Sequence, residues 1–400
     1  MSSKLSLPSP SSPAIVLTNP TPDERARTWS YSYPEWGHGL TLQGYLDREA
    51  YLLTIPLARH GGITNWILTD TDTDAGTGTD SVSTSSAVDR PVLASCETLR
   101  KRAIARGKDG IVRDVWAHGV ASVFTYEEFR GRGYAGKMMA LLRDRLARLQ
   151  QESGEAVCSV LFSDIGKKFY AKAGWIPMGN THLEFPAAAR EAEEAITTHD
   201  SVKIVRDDDL PALAEVDERL LRRELEAPSA EDASKIRVAV CPDLDTFLWQ
   251  FRREDFICNL AFGRKPTVRG AVYTPPASPP NTRVWALWVR NYYGGVEKPE
   301  NNILSFIRFV VEDASISDED LSSAINSILG VARNEARDWH ITKIQMWNPS
   351  ERVRRLVEQT QGLDARFVVR EDSNIASINW FGEGSVDDVE WVANEKYVWC

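Results

Sequence analysis

The sequence has few of the residues from which metal centres and disulfide frameworks are built. Its 400 residues include five cysteines and six histidines, and no two cysteines form a C-x-x-C pair. The histidines are scattered without the spacing of zinc ligands, so no metal is expected. The odd number of cysteines and their lack of paired spacing predict reduced thiols and therefore a cytoplasmic protein.

Long apolar runs and an excess of positive charge are also missing. No apolar segment reaches the roughly 20 residues of a membrane-spanning helix, so a membrane partner is not expected. The formal net charge is −10 at pH 7, which disfavours nucleic acid as a partner because phosphate binding requires a basic surface. The negative charge is compatible with a cationic amine substrate, and equally with a role in solubility alone.

The chain is longer than chains that usually fold around a single hydrophobic core, so two domains are predicted. Residues 1–13 are rich in Ser and Pro and lack an apolar core, which predicts a disordered N-terminal arm rather than a signal peptide. Strand and helix patterns alternate over residues 14–186 and again over residues 201–400. The charged, alanine-rich segment 187–200 between them predicts a linker.

The segment RGRGYA at residues 130–135 carries the most specific chemical signal. It lies between an apolar run at 115–125, which predicts a strand, and a run at 133–150 whose apolar residues recur at helical spacing. A glycine-rich turn from strand to helix exposes backbone N–H groups at the positive end of the helix, where phosphate groups bind. The turn therefore predicts a site for a phosphorylated coenzyme.

Two motifs compete for this turn. Gly131, Gly133 and Gly136 fit G-x-G-x-x-G, the dinucleotide fingerprint. Arg130, Gly133 and Ala135 fit R-x-x-G-x-A, the pyrophosphate loop of the GNAT acetyltransferase superfamily. A turn that merely caps a helix is the third alternative.

Three features favour the second motif. A dinucleotide fold places an acidic residue about 20 residues after the glycines, at the end of the next strand. Here the next strand ends only at Asp164, which is too late. The fingerprint normally opens a domain, whereas a long stretch of chain precedes this turn. Two arginines also flank the glycines, which suits a coenzyme with several phosphates.

A second motif, FYAKAGW at residues 169–175, follows one strand and one short helix later. The two motifs, in this order and at this spacing, resemble the GNAT superfamily over residues 14–185. The resemblance implies the GNAT fold, an α/β (α+β) domain with a mixed central sheet flanked by helices, for residues 14–186. Residues 201–400 repeat the order of elements and predict a second, degenerate GNAT-like domain.

Two expectations concern this second half. A helix is predicted over 244–256 and a separate strand over 258–262, and residues 366–369 and 375–381 predict closing strands. The position of the phosphate loop is taken by EDASIS at residues 312–317. Because acids without glycines repel a pyrophosphate, this half is not expected to bind coenzyme A.

The layout and residues 120–175 more closely resemble fungal lysine acetyltransferases of lysine catabolism. These enzymes move an acetyl group from acetyl-CoA to the side-chain amine of free lysine. The resemblance implies acetyl-CoA as co-substrate and a small-molecule amine as acceptor. A polyamine, a peptide amino terminus or a protein lysine remains open as acceptor, as does a non-catalytic sensor that binds acetyl-CoA.

The resemblance also implies roles for individual residues. Backbone groups of Val123, Phe124 and Thr125 pair with the pantetheine arm as an added strand would. Tyr170 donates a proton to the leaving thiolate. Asp164 and Lys167 line the coenzyme. The alternative is that Asp164 caps a helix and Lys167 is a surface lysine. The pyrophosphate is held by the amides from residue 131 to 136, with charge from the flanking arginines: Arg130, Gly131, Arg132, Gly133, Tyr134, Ala135, Gly136.

The reaction also requires a base, because an amine must lose its proton before it attacks a thioester. His118 is the predicted catalytic base, since it lies on the strand that leads to the loop. Asp114, on the same face of that strand, and Glu97, on the strand before, are the other candidates. A structural role is the alternative for each. The acidic and aromatic tail at 380–400 suggests a cover over the amine site, or a packed extension.

Overall fold

Two mixed β-sheets with flanking helices make up the protein in the computed structural model, which describes residues 8–71, 90–187, 201–229, 232, 234–276 and 282–400. Residues 1–7 of the predicted arm and 188–200 of the predicted linker lie outside these ranges. The first half contains β1 (Ile15–Thr18), α1 (Pro22–Trp36), α2 (Leu42–Leu52), β2 (Ile63–Asp70), β3 (Ala94–Arg106), β4 (Val112–Thr125), α3 (Tyr134–Ser153), β5 (Cys158–Ser163), α4 (Lys168–Ala171), β6 (Ile176–Pro177) and β7 (Thr181–Pro186).

The second half repeats this order. It contains β8 (Val202–Val205), α5 (Leu210–Glu226), β9 (Ile236–Val240), α6 (Leu244–Phe262), β10 (Gly270–Tyr273), β11 (Val284–Asn291), β12 (Ile303–Val311), α7 (Asp318–Asp338), β13 (Lys343–Trp347), α8 (Glu351–Gln359), β14 (Arg366–Val369), β15 (Ile375–Trp380) and β16 (Val389–Trp391). Each half places one parallel strand pair around a long helix, β4–α3–β5 in the first and β12–α7–β13 in the second. This repeat is the duplicated GNAT-like arrangement.

The two halves share strands: β9, β15 and β16 of the second half join the first sheet, and β7 of the first half joins the second sheet. The first sheet has the order β1-β2-β3-β4-β5-β15-β6, with β9 beside the far end of β3 and β16 beside β9. The second has the order β14-β7-β13-β12-β11-β10-β8. Strand β15 of the second half therefore lies next to β5, while β7 of the first half lies next to β13. Each sheet therefore contains strands from both sides of the predicted boundary at 187–200.

One predicted element is wrong, and three short strands, β6, β9 and β16, were not predicted. Residues 258–262 are not a strand but the last turns of α6, which ends at Gly263 with a left-handed backbone. Cys258 lies on the same buried face as Glu254 and Phe251, so the apolar run follows a helical repeat that a short window cannot distinguish from a strand. Strands β9 and β16 are short and gain their stability from pairing with β3 and each other.

Helix α3 holds the glycine-rich turn in place. Its buried residues Met138, Met139, Leu142 and Leu146 recur at helical spacing and pack in one cluster with Val120 of β4. The helix is bounded at both ends by glycines with left-handed backbones. The packing of α3 on the sheet therefore determines where its first turn points. Within the described residues, no helix has the length and apolar character needed to cross a membrane.

Candidate active site

Strands β4 and β5 diverge and open a cleft in the first sheet. They pair in parallel only at Ala117, His118 and Gly119, although β4 continues to Thr125. Beyond Gly119 the edge of β4 that faces β5 has no strand partner among the described residues. Val123, Phe124 and Thr125, the residues predicted to pair with pantetheine, form this open edge. A backbone edge of this kind can accept an extended ligand as an added strand.

A β-bulge lies on β4 inside the cleft. Ala121 pairs with Glu97 of β3 and Phe124 pairs with Ser95, so two residues of β4 lie opposite the single residue between them on β3. Ser122, the first of the two, has a φ of +53°, which residues other than glycine rarely adopt. The bulge turns the Ser122 side chain toward Glu97.

The glycine-rich turn offers a row of free amide donors at the mouth of the cleft. Gly131 and Gly133 have φ values of +74° and +86°, and α3 begins immediately afterwards without a side-chain cap. Among the described residues, none of the amides from 131 to 136 donates to a backbone acceptor. Nε of Arg130 donates to the Thr125 carbonyl at 3.0 Å, and Arg132 is exposed. These donors and charges fit the pyrophosphate of acetyl-CoA.

Part of the predicted N-terminal arm lies against this turn. The hydroxyl of Tyr134 donates to the carbonyl of Pro8 at 2.6 Å, and Pro10 contacts the space beside Gly133. The amide of Ser11 bonds to the Ser9 hydroxyl. Pro8 and Pro10 therefore lie beside the glycine-rich turn.

Tyr170 lies in the apolar cluster at the base of the cleft. Its ring packs with Cys96 of β3 and Val120 of β4, and the residue is 8% exposed. Burial, with further contributions from Cys96 and Asp164, raises the pKa of the phenol above its ordinary value. The hydroxyl therefore keeps its proton at neutral pH, as a proton donor must.

Asp164 and Lys167 both contact the segment before β15. Asp164 Oδ1 accepts the amide of Asn374 at 3.0 Å, and Lys167 Nζ donates to Glu371 at 2.6 Å. Both side chains are therefore bound to the second half of the chain. These contacts fix the β5–α4 turn against the exchanged strand.

His118 lies on the face of the first sheet that α3 covers. It is two residues before Val120, whose side chain packs against α3, and its Nε2 is 2.9 Å from the Glu155 carbonyl. Burial lowers the pKa of the imidazole. Asp114 pairs with Arg222 at the protein surface. The structure does not bring these two predicted bases together with the open edge of β4.

A pocket on the opposite face brings together carboxylates and aromatic rings. It lies between α1, α2 and the strands β2, β3 and β4. Six of its lining residues supply rings, carboxylates or the bulge hydroxyl: Trp29, Tyr45, Glu49, Trp66, Glu97, Ser122. Of these the sequence had indicated only Glu97, because no local pattern shows that α1 and α2 fold over this strand.

Glu97 is the central charge of this pocket. Its carboxylate accepts bonds from Nδ2 of Asn65 at 2.6 Å and from the hydroxyl of Ser122 at 3.0 Å. Burial, and then repulsion from Glu49, raises the pKa of the Glu97 carboxyl to about 7. Glu49 in turn pairs with Arg48 at 2.5 Å. A carboxyl group with this pKa can exchange a proton at physiological pH.

The corresponding cleft of the second sheet is filled by the protein itself. Glu395 accepts the amide of Phe309 on β12 at 2.9 Å and also pairs with Arg308. In the turn before α7, the Ser317 hydroxyl accepts the amide of Asp320 at 3.0 Å. The second copy therefore uses both the strand edge and the helix end for internal bonds.

The C-terminal segment packs between the two halves beside the cleft. The buried ammonium of Lys101 donates to the Val398 carbonyl at 2.7 Å, and the sulfur of Cys400 fills the space beside Gly119 that a side chain would need. Trp399 lies near Arg253 of α6. The segment thus approaches the point where β4 and β5 separate.

Comparisons with solved structures define the fold class. A GCN5-related N-acetyltransferase from Anabaena variabilis ATCC 29413 is 12% identical, with 92% of this chain and 73% of that chain covered and a TM-score of 0.50. A conserved Enterococcus faecalis V583 protein of unknown function, described as a probable N-acyltransferase, is 11% identical, with 92% and 72% covered and a TM-score of 0.52. The fold is that of the GNAT superfamily.

Sequence comparisons then identify the family. Residues 182–400 match the family described as the LYC1 GNAT-like C-terminal domain. The protein belongs to this family and is a GNAT-type N-acetyltransferase, a class that uses acetyl-CoA. A lysine acetyltransferase of Yarrowia lipolytica is 26% identical over 286 residues, 63% of this chain and 68% of that protein. An uncharacterized Saccharomyces cerevisiae protein is 22% identical over 400 residues, with 94% and 96% covered.

Proposed function

We propose that the protein transfers the acetyl group of acetyl-CoA to the side-chain amine of free L-lysine. The observation that carries this proposal is the meeting of two sites at the bulge of β4. One is the cleft with its open strand edge and free amides, and the other is the acidic, aromatic pocket around Glu97. The similarity to the Yarrowia lipolytica lysine acetyltransferase supports lysine as acceptor.

The cleft holds the acetyl donor. Backbone groups of Val123, Phe124 and Thr125 bind the pantetheine arm along the open edge of β4. The amides of residues 131–136 bind the pyrophosphate, and Arg130 and Arg132 add positive charge. Acetyl-CoA supplies the thioester when it is bound.

The pocket holds and deprotonates the acceptor. A lysine side chain has a pKa near 10.4 and is mostly charged in water at pH 7. The rings of Trp29 and Trp66 and the carboxylates of Glu97 and Glu49 suit a cation of this kind. Glu97 then accepts the proton, and we favour it over His118 as base because Glu97 lines the pocket, whereas Nε2 of His118 is bonded to the Glu155 carbonyl.

Tyr170 completes the transfer. The neutral amine forms a bond to the thioester carbonyl carbon, the carbon–sulfur bond breaks, and the phenol of Tyr170 gives its proton to the leaving thiolate. The new amide nitrogen loses one proton, which restores the phenol of Tyr170. The high pKa of Tyr170 is suitable for this role, since the phenol is protonated before the thiolate forms.

The experiment that tests the proposal is a free-thiol release assay with acetyl-CoA and a panel of amines. Release with L-lysine, and not with lysine-containing peptides, is the expected result. Release with polyamines or peptides alone would assign a different acceptor. Binding of acetyl-CoA without thiol release for any amine would instead indicate a sensor.

A further inference from the structure

Two basic side chains lie against the same tryptophan at the junction of the two halves. The guanidinium carbon of Arg253 is 5.2 Å from the centre of the Trp399 ring, and the ammonium of Lys396 is 4.3 Å from it. Lys396 is 2% exposed and also lies 4.1 Å from the ring of Trp347. Aromatic faces attract cations, but they do not supply the counter-charge of a carboxylate.

Neither side chain forms an ion pair with an acid in the described part of the chain. Burial lowers the pKa of Lys396 well below its ordinary value, so the positive charge at this place is assigned to Arg253. The preceding residue, Arg252, is different, because it pairs with Asp207 at 3.0 Å and Asp255 at 2.8 Å. Burial, followed by repulsion from Arg48, lowers the pKa of Arg253 to about 10. Since a desolvated cation without a counter-ion is unfavourable, an anion from outside is bound readily at such a place.

Arg253 also lies near α2, the helix that supplies two residues of the acceptor pocket. It lies on the side of α6 that packs on α2, where Phe256 stacks on a tyrosine of α2 at 5.3 Å and Leu260 contacts an α2 glycine. Glu49 and Tyr45 of α2 line the acceptor pocket, and both interact electrostatically with Arg253. The unpaired guanidinium is therefore a neighbour of the site in which the amine is expected.

We propose that Arg253 binds the carboxylate of a free amino acid whose side-chain amine lies between Glu97 and Glu49. This inference rests on the acetyl transfer proposed above and adds a specificity-determining residue to it. The acidic pocket and the guanidinium of Arg253 offer opposite charges to the two ends of one zwitterion. A guanidinium binds a carboxylate through two parallel hydrogen bonds, which a diamine or an internal peptide lysine cannot form.

The test compares L-lysine with lysinamide, which keeps the amine and replaces the carboxylate with a neutral amide. Binding of each to the full-length protein in the presence of coenzyme A is measured by calorimetry. The wild-type protein is expected to bind lysine more tightly than lysinamide. Arg253→Gln is expected to weaken lysine binding roughly 30-fold, and to reduce the ratio of the two affinities toward one.

Arg252→Gln is the matched control, since this neighbouring arginine already has carboxylate partners. It is expected to keep the wild-type ratio of lysine to lysinamide affinity. Arg253→Lys keeps the charge without the planar pair of donors, and an intermediate ratio is expected. Circular dichroism of each variant establishes that the fold is retained.

Two results would overturn the inference. One is equal affinity of the wild-type protein for lysine and lysinamide, which needs no variant to be measured. The other is an Arg253→Gln protein whose affinities for lysine and for lysinamide fall by the same factor. Thiol release is measured in parallel: Arg253-dependent lysine binding without release would overturn the transferase proposal alone, whereas release with equal affinities would overturn the carboxylate site alone.

Discussion

The hydroxyl of Ser122 donates a 3.0 Å hydrogen bond to the carboxylate of Glu97 across the bulge between β3 and β4. Ser122 reaches this position because the bulge gives its backbone a φ of +53°. The same stretch of β4 supplies the open edge of the cleft. The bond therefore connects the acidic pocket directly to the strand that is proposed to hold the acetyl donor, and fixes the distance between them.

Replacement of Glu97 by glutamine should remove the base and keep the shape of the pocket. Since the pKa of the Glu97 carboxyl is about 7, wild-type kcat/KM should fall as the pH drops below that value. Glu97→Gln should lower kcat/KM about 100-fold and abolish this acidic limb. The pH profile of thiol release measures both the loss of kcat/KM and the loss of the acidic limb. Glu358→Gln, which changes an exposed residue of α8, is the control. An unaltered profile would exclude Glu97 as the base.

The same substitution should affect stability with a defined sign. The pKa of Glu97 is raised from 4.5 to about 7 in the folded state. Its contribution to stability is therefore fully present below about pH 4.5 and is lost as the pH rises through 7. Glu97→Gln should unfold at a higher temperature than wild type at pH 8 and show a smaller gain at pH 5. Thermal unfolding at the two pH values checks this, and an equal shift at both would contradict it.

His118→Gln should separate the two candidate bases. Because His118 bonds to the Glu155 carbonyl on the α3 face of the sheet, the change should lower stability by about 1 kcal/mol. The pH dependence of thiol release should remain that of the wild-type protein. Loss of the acidic limb in His118→Gln, with its retention in Glu97→Gln, would return the role of base to His118.

Tyr170→Phe should slow turnover by about 100-fold with little change in the affinity for acetyl-CoA. The ring still fills the cluster with Cys96 and Val120, so only the proton donor is lost. Single-turnover thiol release and calorimetry separate the two effects. Tyr292→Phe is the control, since its hydroxyl bonds to the Trp339 carbonyl in the second half. Full activity of Tyr170→Phe would remove Tyr170 from the mechanism.

Gly133→Asp should abolish binding of acetyl-CoA. It introduces a negative charge beside the free amides and a side chain at a φ of +86°, so a loss of affinity of about 100-fold or more is expected. Gly154→Asp is the matched control, because Gly154 ends the same helix with a φ of +71°. Calorimetry should detect acetyl-CoA binding to Gly154→Asp only. Comparable binding to both variants would place the pyrophosphate elsewhere.

The strand, the turn and the helix around the glycines could be predicted from the sequence. The glycines of the turn, the helical spacing of Met138 and Leu142, and the strand before the turn are local features, and the structure has β4, the turn and α3 in this order. The binding of the coenzyme at this turn stays a prediction. Local patterns were insufficient for residues 258–262, where a helix and a buried strand have the same apolar composition. The pocket around Glu97 could not be predicted from the sequence, because it combines helices and strands that lie far apart in the chain.

The sequence by itself determined the order of elements and the chemistry of the turn, because backbone dihedrals and side-chain periodicity depend on neighbouring residues. Only the tertiary structure decided which strands pair. Strands β7 and β15 follow equivalent β–α–β units in the two halves, so either could pair within its own half by pattern alone. Contacts between the halves, including those of the 371–374 segment with Asp164 and Lys167, accompany the exchanged arrangement. The same folding brings Arg253 of α6 beside Glu49 of α2, since helix packing joins residues that no sequence motif connects.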